Sequence, residues 1–279
     1  MSPAPILTDG AWGTQLQARG LAAGECPDAW NLSRPDAVAE VAAAYADAGS
    51  RVVLTNTFRA NRIALEGYAL AAQVDAINRA GVELSRRGAA GRARVFASIG
   101  PSGKMLATGD VSAEALREAF AEQARSLAAA GADALVVETM SDLDEAVLAV
   151  EAARATGLLT VGCMVFDTGR NKDRTMMGNT PEQSAERLAA AGANVIGANC
   201  GCGIEGYVAI AARLRAATAL PIWIKANAGL PELVEGRVTY RMTPAEFAAH
   251  AQKMQGVAYL GGCCGTTPAF IRALAAACA

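Results

Sequence analysis

Histidine is nearly absent from this chain, and its scarcity limits the chemistry that the protein can carry. Among 279 residues there is one histidine, His250. This excludes most metal sites built from imidazole ligands and every catalytic design that needs a second histidine. If a metal ion is bound, sulfur must supply most of its ligands.

Charge imbalance and long apolar stretches are absent as well. The 25 basic and 27 acidic residues give a formal net charge of −2, which is not the basic footprint of a nucleic-acid-binding protein. The apolar runs are too short or too interrupted to span a bilayer, and the N-terminal residues lack the charged and apolar regions of a signal peptide. We therefore expect a cytoplasmic protein that binds neither nucleic acid nor membrane.

The cysteines are better suited to chemistry than to disulfide bonds. There are seven of them, an odd number in a chain without an evident export signal, which favours metal-binding or catalytic roles. We expect Cys26, Cys163 and Cys278 to be small buried hydrophobes. The remaining cysteines lie in two glycine-containing segments, Asn199-Cys200-Gly201-Cys202 and Gly262-Cys263-Cys264-Gly265.

The hydrophobic pattern predicts alternating strands and helices. A composition with 52% hydrophobic and 19% charged residues excludes a disordered chain. The predicted strands are Ile6–Asp9, Arg51–Asn56, Arg94–Gly100, Ala134–Thr139, Thr160–Phe166, Val195–Cys200, Pro221–Asn227 and Tyr259–Cys263. The predicted helices are Asp36–Ala48, Ala60–Arg87, Ser112–Ala130, Asp142–Thr156, Pro181–Ala191, Glu205–Ala217, Pro244–Gln255 and Pro268–Cys278.

Eight strand–helix pairs without a linker rich in proline, glycine or serine predict an α/β protein with a single (β/α)8 TIM barrel over residues 1–279. Two longer connections, Gly20–Pro35 and Thr168–Thr180, follow the first and fifth strands. They belong to the C-terminal face, where barrel active sites lie, and they are candidate lids. An ordinary surface loop explains the second equally well.

Thiols collect at the ends of the sixth and eighth strands. Adjacent cysteines on a regular strand point to opposite faces, so Cys263 and Cys264 can share one ion only if the backbone turns between them. We expect Gly261, Gly262 and Gly265 to permit that turn, because glycine tolerates unusual dihedral angles. Barrel closure then brings Cys200 to the same point, while the role of Cys202 stays open.

Three thiolates suit Zn²⁺ with an open fourth position. Their combined charge leaves the centre at −1, which is poorly suited to activating water. It suits the binding of a substrate thiol, whose pKa falls and whose sulfur stays nucleophilic. The pattern therefore indicates alkyl or methyl transfer to sulfur.

Two carboxylates follow strands at the same edge of the barrel. Asp9 ends the first strand and Glu138 the fourth. Carboxylates that face one pocket can bind an ammonium group, although each can also cap a strand or turn. Spacing alone does not decide between these interpretations.

Together these segments resemble the homocysteine S-methyltransferase family, which includes the homocysteine-binding module of cobalamin-dependent methionine synthase and betaine–homocysteine methyltransferase. The matching segments are Asp9-Gly10-Ala11-Trp12-Gly13-Thr14, Thr55-Asn56-Thr57-Phe58, Ile99-Gly100-Pro101, Glu138-Thr139, Gly197-Ala198-Asn199-Cys200, Asn227-Ala228-Gly229 and Gly261-Gly262-Cys263-Cys264-Gly265-Thr266-Thr267-Pro268.

The resemblance implies a (β/α)8 barrel with one catalytic zinc ion. It assigns the zinc ligands to Cys200, Cys263 and Cys264. It also implies that the amino group of homocysteine binds Asp9 and Glu138. Three further residues are assigned to the substrate pocket, namely Gly10, Thr57 and Asn227.

The sequence departs from the family at two places. Ala226 replaces the proline of the usual Pro-Asn-Ala-Gly motif, and we expect a looser turn there without loss of the site. The loop after the first strand contains Trp30, which we expect to pack the loop rather than to hold a methylammonium group.

No internally bound cobalamin is expected, because His250 does not fit the Asp-x-His-x-x-Gly pattern and the barrel fills the sequence. The leading hypothesis is zinc-dependent methyl transfer to homocysteine, giving methionine, with a methylcorrinoid on a separate protein as donor. The alternative donor is a small onium compound, namely S-methylmethionine, dimethylsulfoniopropionate or betaine. Two other classes stay open, a non-catalytic zinc-holding barrel and a phosphate-binding barrel that uses Gly261-Gly262.

Overall fold

The computed structural model describes residues 4–234 and 237–278. Its barrel strands are β1 (Ile6–Leu7), β2 (Val52–Val53), β3 (Arg94–Ile99), β4 (Ala134–Met140), β5 (Leu159–Met164), β6 (Val195–Gly203), β7 (Ile222–Asn227) and β10 (Tyr259–Gly262). A separate antiparallel hairpin follows β7 and consists of β8 (Glu232–Val234) and β9 (Arg237–Thr239). The helices are α1 (Gly13–Gln17), α2 (Trp30–Ser33), α3 (Pro35–Asp47), α4 (Arg62–Glu66), α5 (Val74–Ala89), α6 (Ala113–Ala129), α7 (Leu143–Arg154), α8 (Pro181–Ala190), α9 (Ile204–Ala217), α10 (Pro244–Ala251) and α11 (Pro268–Cys278).

The eight barrel strands form one parallel sheet in the order β1-β10-β7-β6-β5-β4-β3-β2. Its two edges meet through a parallel bridge between Thr8 and Val52, next to which the amide of Arg51 donates to the carbonyl of Leu7 at 2.8 Å. This arrangement confirms the predicted (β/α)8 TIM barrel. Because β7 lies between β6 and β10, the C-terminal ends of these three strands are neighbours.

The barrel interior is divided into an apolar layer and a polar layer. Phe96, Trp223 and Tyr259 fill the apolar layer, with ring centroids 5.2 to 6.2 Å apart. Side chains two residues apart on a strand face the same side. The next inward positions on β3 and β7 are therefore Ser98 and Lys225, and polar groups lie above the aromatic rings at the C-terminal face.

The helix starts and ends follow the expected local signals. Thr180 and Thr243 both form complete capping boxes at the first residues of α8 and α10. Gly49, Gly131 and Gly192 have φ values of 106°, 88° and 98°, as expected for glycines that end a helix before the next strand. Within the described residues, no helix combines the length and the apolar character that a membrane crossing requires.

The prediction of one helix over Ala60–Arg87 is wrong. The segment contains α4, a turn of 3-10 helix at Ala71–Gln73 and then α5. The break follows from Ala69, whose φ of 57° is left-handed and cannot continue a helix. The hairpin of β8 and β9 was also not predicted.

The predicted burial or packing of four side chains can be checked directly. Cys26 and Cys163 are buried as expected, whereas Cys278 at the end of α11 is only half-buried. Trp30 is fully buried in the loop after β1, and its Nε1 donates to Glu25 at 2.7 Å. This burial confirms that Trp30 packs the loop.

Candidate active site

Three thiols meet at the C-terminal ends of β6 and β10. The sulfur atoms of Cys200, Cys263 and Cys264 lie within 4.8 Å of one another, and the Sγ atoms of Cys200 and Cys264 are 3.9 Å apart. Tetrahedral metal–thiolate bonds of ~2.3 Å separate the ligand sulfurs by roughly 3.8 Å. The donor set and its spacing therefore fit one tetrahedral metal ion with a fourth position left for another ligand.

Strand β6 delivers its thiol through a left-handed turn. Cys200 has a φ of 62° and Gly201 a φ of 59°, and the register of β6 against β7 shifts directly afterwards. Such a backbone costs a non-glycine residue on the order of 1–3 kcal/mol. The Nδ2 of Asn227 donates to the carbonyl of Gly201 at 2.8 Å, and the hydroxyl of Tyr207 donates to the carbonyl of Asn199 at 2.9 Å. These two bonds hold the turn in place.

The second turn follows β10 and carries the adjacent cysteines. The amide of Cys263 donates to the carbonyl of Ala226 on β7 at 2.7 Å. The hydroxyl of Thr266 donates to the carbonyl of Cys263, also at 2.7 Å, and Gly265 completes the turn with a φ of 79°. The backbone turns after β10, as predicted, so that Cys263 and Cys264 reach one cluster.

The glycines around this turn have two different functions. Gly265 has a positive φ, but Gly261 and Gly262 lie outside the left-handed region. A Cβ on Gly261 would collide with Thr8, and one on Gly262 would collide with Thr266. The expectation that all three permit unusual dihedral angles is therefore wrong for Gly261 and Gly262, which allow β10 to approach its neighbours closely.

Ala226 occupies the position of the motif proline, and it lies within β7. It is fully buried, in register with Cys200 on β6 and with Gly262 on β10. The expected loose turn is wrong, because the strand continues to Asn227. The group that matters at this position is the carbonyl that receives the Cys263 amide, and alanine and proline both supply it.

The crowding of the thiols controls which of them ionises. Hydrogen bonds from Cys263 and Cys264 lower the pKa of Cys200. The same interactions with Cys200, together with burial, raise the pKa of Cys263 and of Cys264. The three thiols therefore do not ionise equally, and a bound divalent cation would favour the thiolate form of all three.

Glu138 lies beside the thiols near the end of β4. The hydroxyl of Ser98 donates to its Oε1, and the Nδ2 of Asn199 donates to its Oε2 at 3.2 Å. The same Nδ2 lies 3.9 Å from the Sγ of Cys263. Burial raises the pKa of Glu138, and the charge of Lys225 offsets this only in part. Asn199 therefore connects the carboxylate to the thiol cluster.

Asn199 also fixes the backbone next to Glu138. Thr139 has a φ of 60°, which is rare for a β-branched residue. Its amide donates to the Oδ1 of Asn199 at 2.7 Å, and the Nδ2 of Asn199 donates to its hydroxyl at 2.7 Å. The sequence motif includes Asn199, but sequence reasoning did not assign it to the site. Its position directly before Cys200 could have indicated that role.

Asp9 is engaged by protein donors. Its Oδ2 accepts from the Nε1 of Trp12 and from the amide of Leu54, each at 2.7 Å, and its Oδ1 forms an ion pair with Lys225. Both members of the ion pair are buried, with Lys225 2% exposed and Asp9 0%. Sequence reasoning missed Lys225, although a lysine within an otherwise apolar, buried strand was a signal for it.

The other predicted pocket residues occupy different positions around the cluster. Asn227 is closest, with its Nδ2 3.9 Å from the Sγ of Cys200 and its Oδ1 buried without a hydrogen-bond partner among the described residues. Gly10 leaves no room for a side chain against Tyr45 and Thr266. Thr57 is fully buried, and its hydroxyl donates to the carbonyl of Ser98 at 2.7 Å. Thr57 is therefore connected to Glu138 only through Ser98, whose hydroxyl donates to the Glu138 carboxylate.

A cavity of about 870 Å³ lies on the outer side of the Cys200 turn. It is lined by the loop after β5, the end of β6 and the segment around the β8–β9 hairpin, including Asp167, Cys202, Leu230 and Met242. Cys202 therefore faces this cavity, not the three-thiol cluster. Burial, followed by the charge of Asp167, raises the pKa of its thiol.

Comparison with known proteins finds matches over nearly the whole chain. The sequence profile of the homocysteine S-methyltransferase family matches residues 6–278. The methionine synthases of Mycobacterium tuberculosis and Mycobacterium leprae are 32% and 31% identical over 100% and 98% of the chain. The chain spans about a quarter of the length of these two relatives, 25% and 24%.

A solved structure of similar size also matches. The metallated form of the homocysteine methyltransferase MmuM from Escherichia coli is 27% identical, with a TM-score of 0.81 over 98% of this chain and 96% of that one. Metal binding by that protein agrees with a metal-binding role for the cluster of Cys200, Cys263 and Cys264.

We predict that Gly262→Ala will damage the thiol turn. The new methyl group collides with Thr266, so we expect a loss of about 1–3 kcal/mol in the free energy of unfolding and weaker metal binding. Urea unfolding and titration with Zn²⁺ as the probe would measure both. The control is Gly13→Ala in α1, where a Cβ meets no atom within 4 Å and should be neutral or slightly stabilising. Wild-type stability and Zn²⁺ affinity in Gly262→Ala would contradict this account of the glycine.

Proposed function

Because the chain belongs to the homocysteine S-methyltransferase family, we propose that it transfers a methyl group to the sulfur of homocysteine and so forms methionine. The observation that carries this proposal is the cluster of Cys200, Cys263 and Cys264, whose sulfur atoms lie within 4.8 Å beside the carboxylate of Glu138. Groups suited to sulfur chemistry and to amino-acid recognition are thereby adjacent at one end of the barrel.

We propose Zn²⁺ as the metal. Three thiolates are soft ligands that suit zinc, and their spacing fits tetrahedral coordination. When bound, zinc would lower the pKa of the substrate thiol and so supply a nucleophilic sulfur at neutral pH. Cys200, Cys263 and Cys264 would hold the ion, and the amides of Asn199 and Asn227 would stabilise the charge on their sulfur atoms.

The amino-acid end of homocysteine would bind next to the cluster. Glu138 offers a carboxylate to the α-ammonium group, and Asn227 and the backbone at Gly10 complete the pocket. Thr57 would act through Ser98, which it supports. Asp9 belongs to the same polar layer through Lys225. These residues would bind and orient the substrate so that its sulfur faces the methyl donor.

The transfer itself is a displacement at carbon. The sulfur–carbon bond forms as the bond between donor and methyl carbon breaks, and the donor keeps the electron pair of that bond. The thiol proton leaves when the substrate binds, so the transfer step needs no general acid.

For the donor, we propose a methylcorrinoid carried by a separate protein. The support is the similarity to two methionine synthases, at 32% and 31% identity. A small onium donor is the second candidate, favoured by the match to a homocysteine methyltransferase of nearly the same length. A zinc-holding barrel without catalysis is the remaining alternative.

An assay of methionine formation separates these donors. Zinc-loaded protein is incubated with homocysteine and, in separate reactions, with S-methylmethionine, dimethylsulfoniopropionate, betaine or methylcobalamin. We expect methionine from methylcobalamin and none from the onium compounds. Turnover with an onium compound alone would replace the corrinoid proposal by the second candidate. No methionine in any reaction, together with no binding of homocysteine, would favour the non-catalytic barrel.

We predict that Cys263→Ala will lose the metal while the barrel stays folded. Two remaining thiols offer too few ligands for tight binding, so bound zinc after dialysis should fall from about one ion per chain to near zero. Metal analysis and circular dichroism would measure content and folding. Cys202→Ala is the matched control, because that thiol lies outside the cluster and should keep its zinc. Equal zinc content in the two variants would refute the ligand assignment.

We predict that Glu138→Gln will weaken homocysteine binding more than it slows the transfer. The loss of a charge-assisted hydrogen bond, about 1.5–3 kcal/mol, corresponds to a KM increase of roughly 10- to 100-fold. Steady-state kinetics would separate KM from kcat. Glu186→Gln, an exposed change on α8, is the control. An unchanged KM in Glu138→Gln would remove this residue from the substrate site.

A further inference from the structure

Lys225 is an unusual residue to find inside this barrel. It lies on β7 directly above Trp223 in the inward-facing row, and it is 2% exposed. Its ammonium group contacts the carboxylate of Asp9. Burial lowers the pKa of Lys225, but the charges of Asp9 and Glu138 outweigh this effect and raise it overall. Lys225 is therefore a buried cation that pairs directly with Asp9 and lies close enough to Glu138 for their charges to interact.

The two carboxylates are not equivalent. Asp9 is fully buried and already accepts from three donors, namely Lys225, Trp12 and the amide of Leu54. Glu138 accepts from the neutral groups of Ser98 and Asn199 and retains 7% exposure. Asp9 consequently has little capacity for another donor, whereas Glu138 has no cation of its own in direct contact among the described residues.

The charges of this group do not cancel. Two carboxylates and one ammonium leave a single net negative charge, and a buried charge is costly without a partner. The Nδ2 of Asn199 lies 3.2 Å from Glu138 and 3.9 Å from the Sγ of Cys263, so the unpaired carboxylate is adjacent to the thiols. A ligand with one ammonium group and one thiol, separated by a short chain, matches this arrangement.

We infer that Lys225 is a positioning residue, which pairs with Asp9 and so leaves Glu138 as the carboxylate that receives the substrate's ammonium group. This inference rests on the proposed methylation of homocysteine and refines it. It differs from the assignment of both carboxylates to the substrate, because Asp9 would act only through Lys225.

A double-mutant cycle tests the inference. Asp9→Asn alone leaves Lys225 free to pair with Glu138, so the affinity for homocysteine should fall at least 10-fold. Lys225→Met alone leaves Asp9 buried without its cation, so Tm should fall. The double variant Asp9→Asn/Lys225→Met removes both charges and leaves Glu138 with the single negative charge. Its affinity should return to within about threefold of wild type.

Calorimetry on the zinc-loaded proteins gives the dissociation constants, and thermal unfolding gives Tm with and without metal. The second ligand is 4-mercaptobutanoate, which is homocysteine without its amino group. The preference for homocysteine over this analogue should be lost in Asp9→Asn and regained in the double variant. A purely structural role for Lys225 would change Tm without changing this preference.

The outcomes are distinguishable. If wild-type protein binds homocysteine but the double variant binds as weakly as Asp9→Asn, Asp9 itself holds the ammonium group and the inference is wrong. If the double variant recovers and adding Glu138→Gln then abolishes the preference, the inference holds. If wild-type protein does not bind homocysteine at all, the proposed function fails instead. Should Lys225→Met not fold, the comparison of Asp9→Asn with the double variant still decides.

Discussion

The site depends on the pairing of β7 with β6 on one side and with β10 on the other. Ala226 is in register with Cys200 across the first pairing and with Gly262 across the second, and its carbonyl receives the amide of Cys263. Cys200 and Cys264, which are more than 60 positions apart in sequence, thereby meet beside one buried alanine. The pairing of these three neighbouring strands is what turns three separate thiols into a ligand set.

The convergence of the thiols and Glu138 is accompanied by local backbone strain. Asn199, which stabilises one of the strained residues, also contacts Glu138. Cys200 and Thr139 both have left-handed backbones, with φ values of 62° and 60°. Asn199 binds the amide and hydroxyl of Thr139 and also contacts Glu138. Strained residues tend to persist where the surroundings over-determine them, commonly at functional sites. Here the connection from the thiols to the carboxylate is this one amide side chain.

Much of the fold and the thiol trio could be predicted, because both depend on short-range patterns. Alternating apolar runs predicted all eight barrel strands, and the glycine-flanked cysteines indicated a turn after the last of them. The left-handed backbone of Cys200 and the break at Ala69 carry no such pattern, since neither position has a glycine. The partner of Lys225 is 216 residues away in sequence, so the lysine alone could not reveal that Asp9 is already occupied.

With the proposed function, the polar layer would link ligand affinity to the stability of this barrel. Burial makes the charge of each carboxylate costly, and the aromatic layer below keeps the surroundings apolar. Lys225 neutralises one carboxylate, but burial still raises the pKa of Glu138, so its charged form is disfavoured without a ligand. An incoming ammonium group removes that penalty. Part of the binding free energy would then come from pairing the carboxylate of Glu138 with a cation, a contribution that is missing from a pocket whose two carboxylates are both already paired.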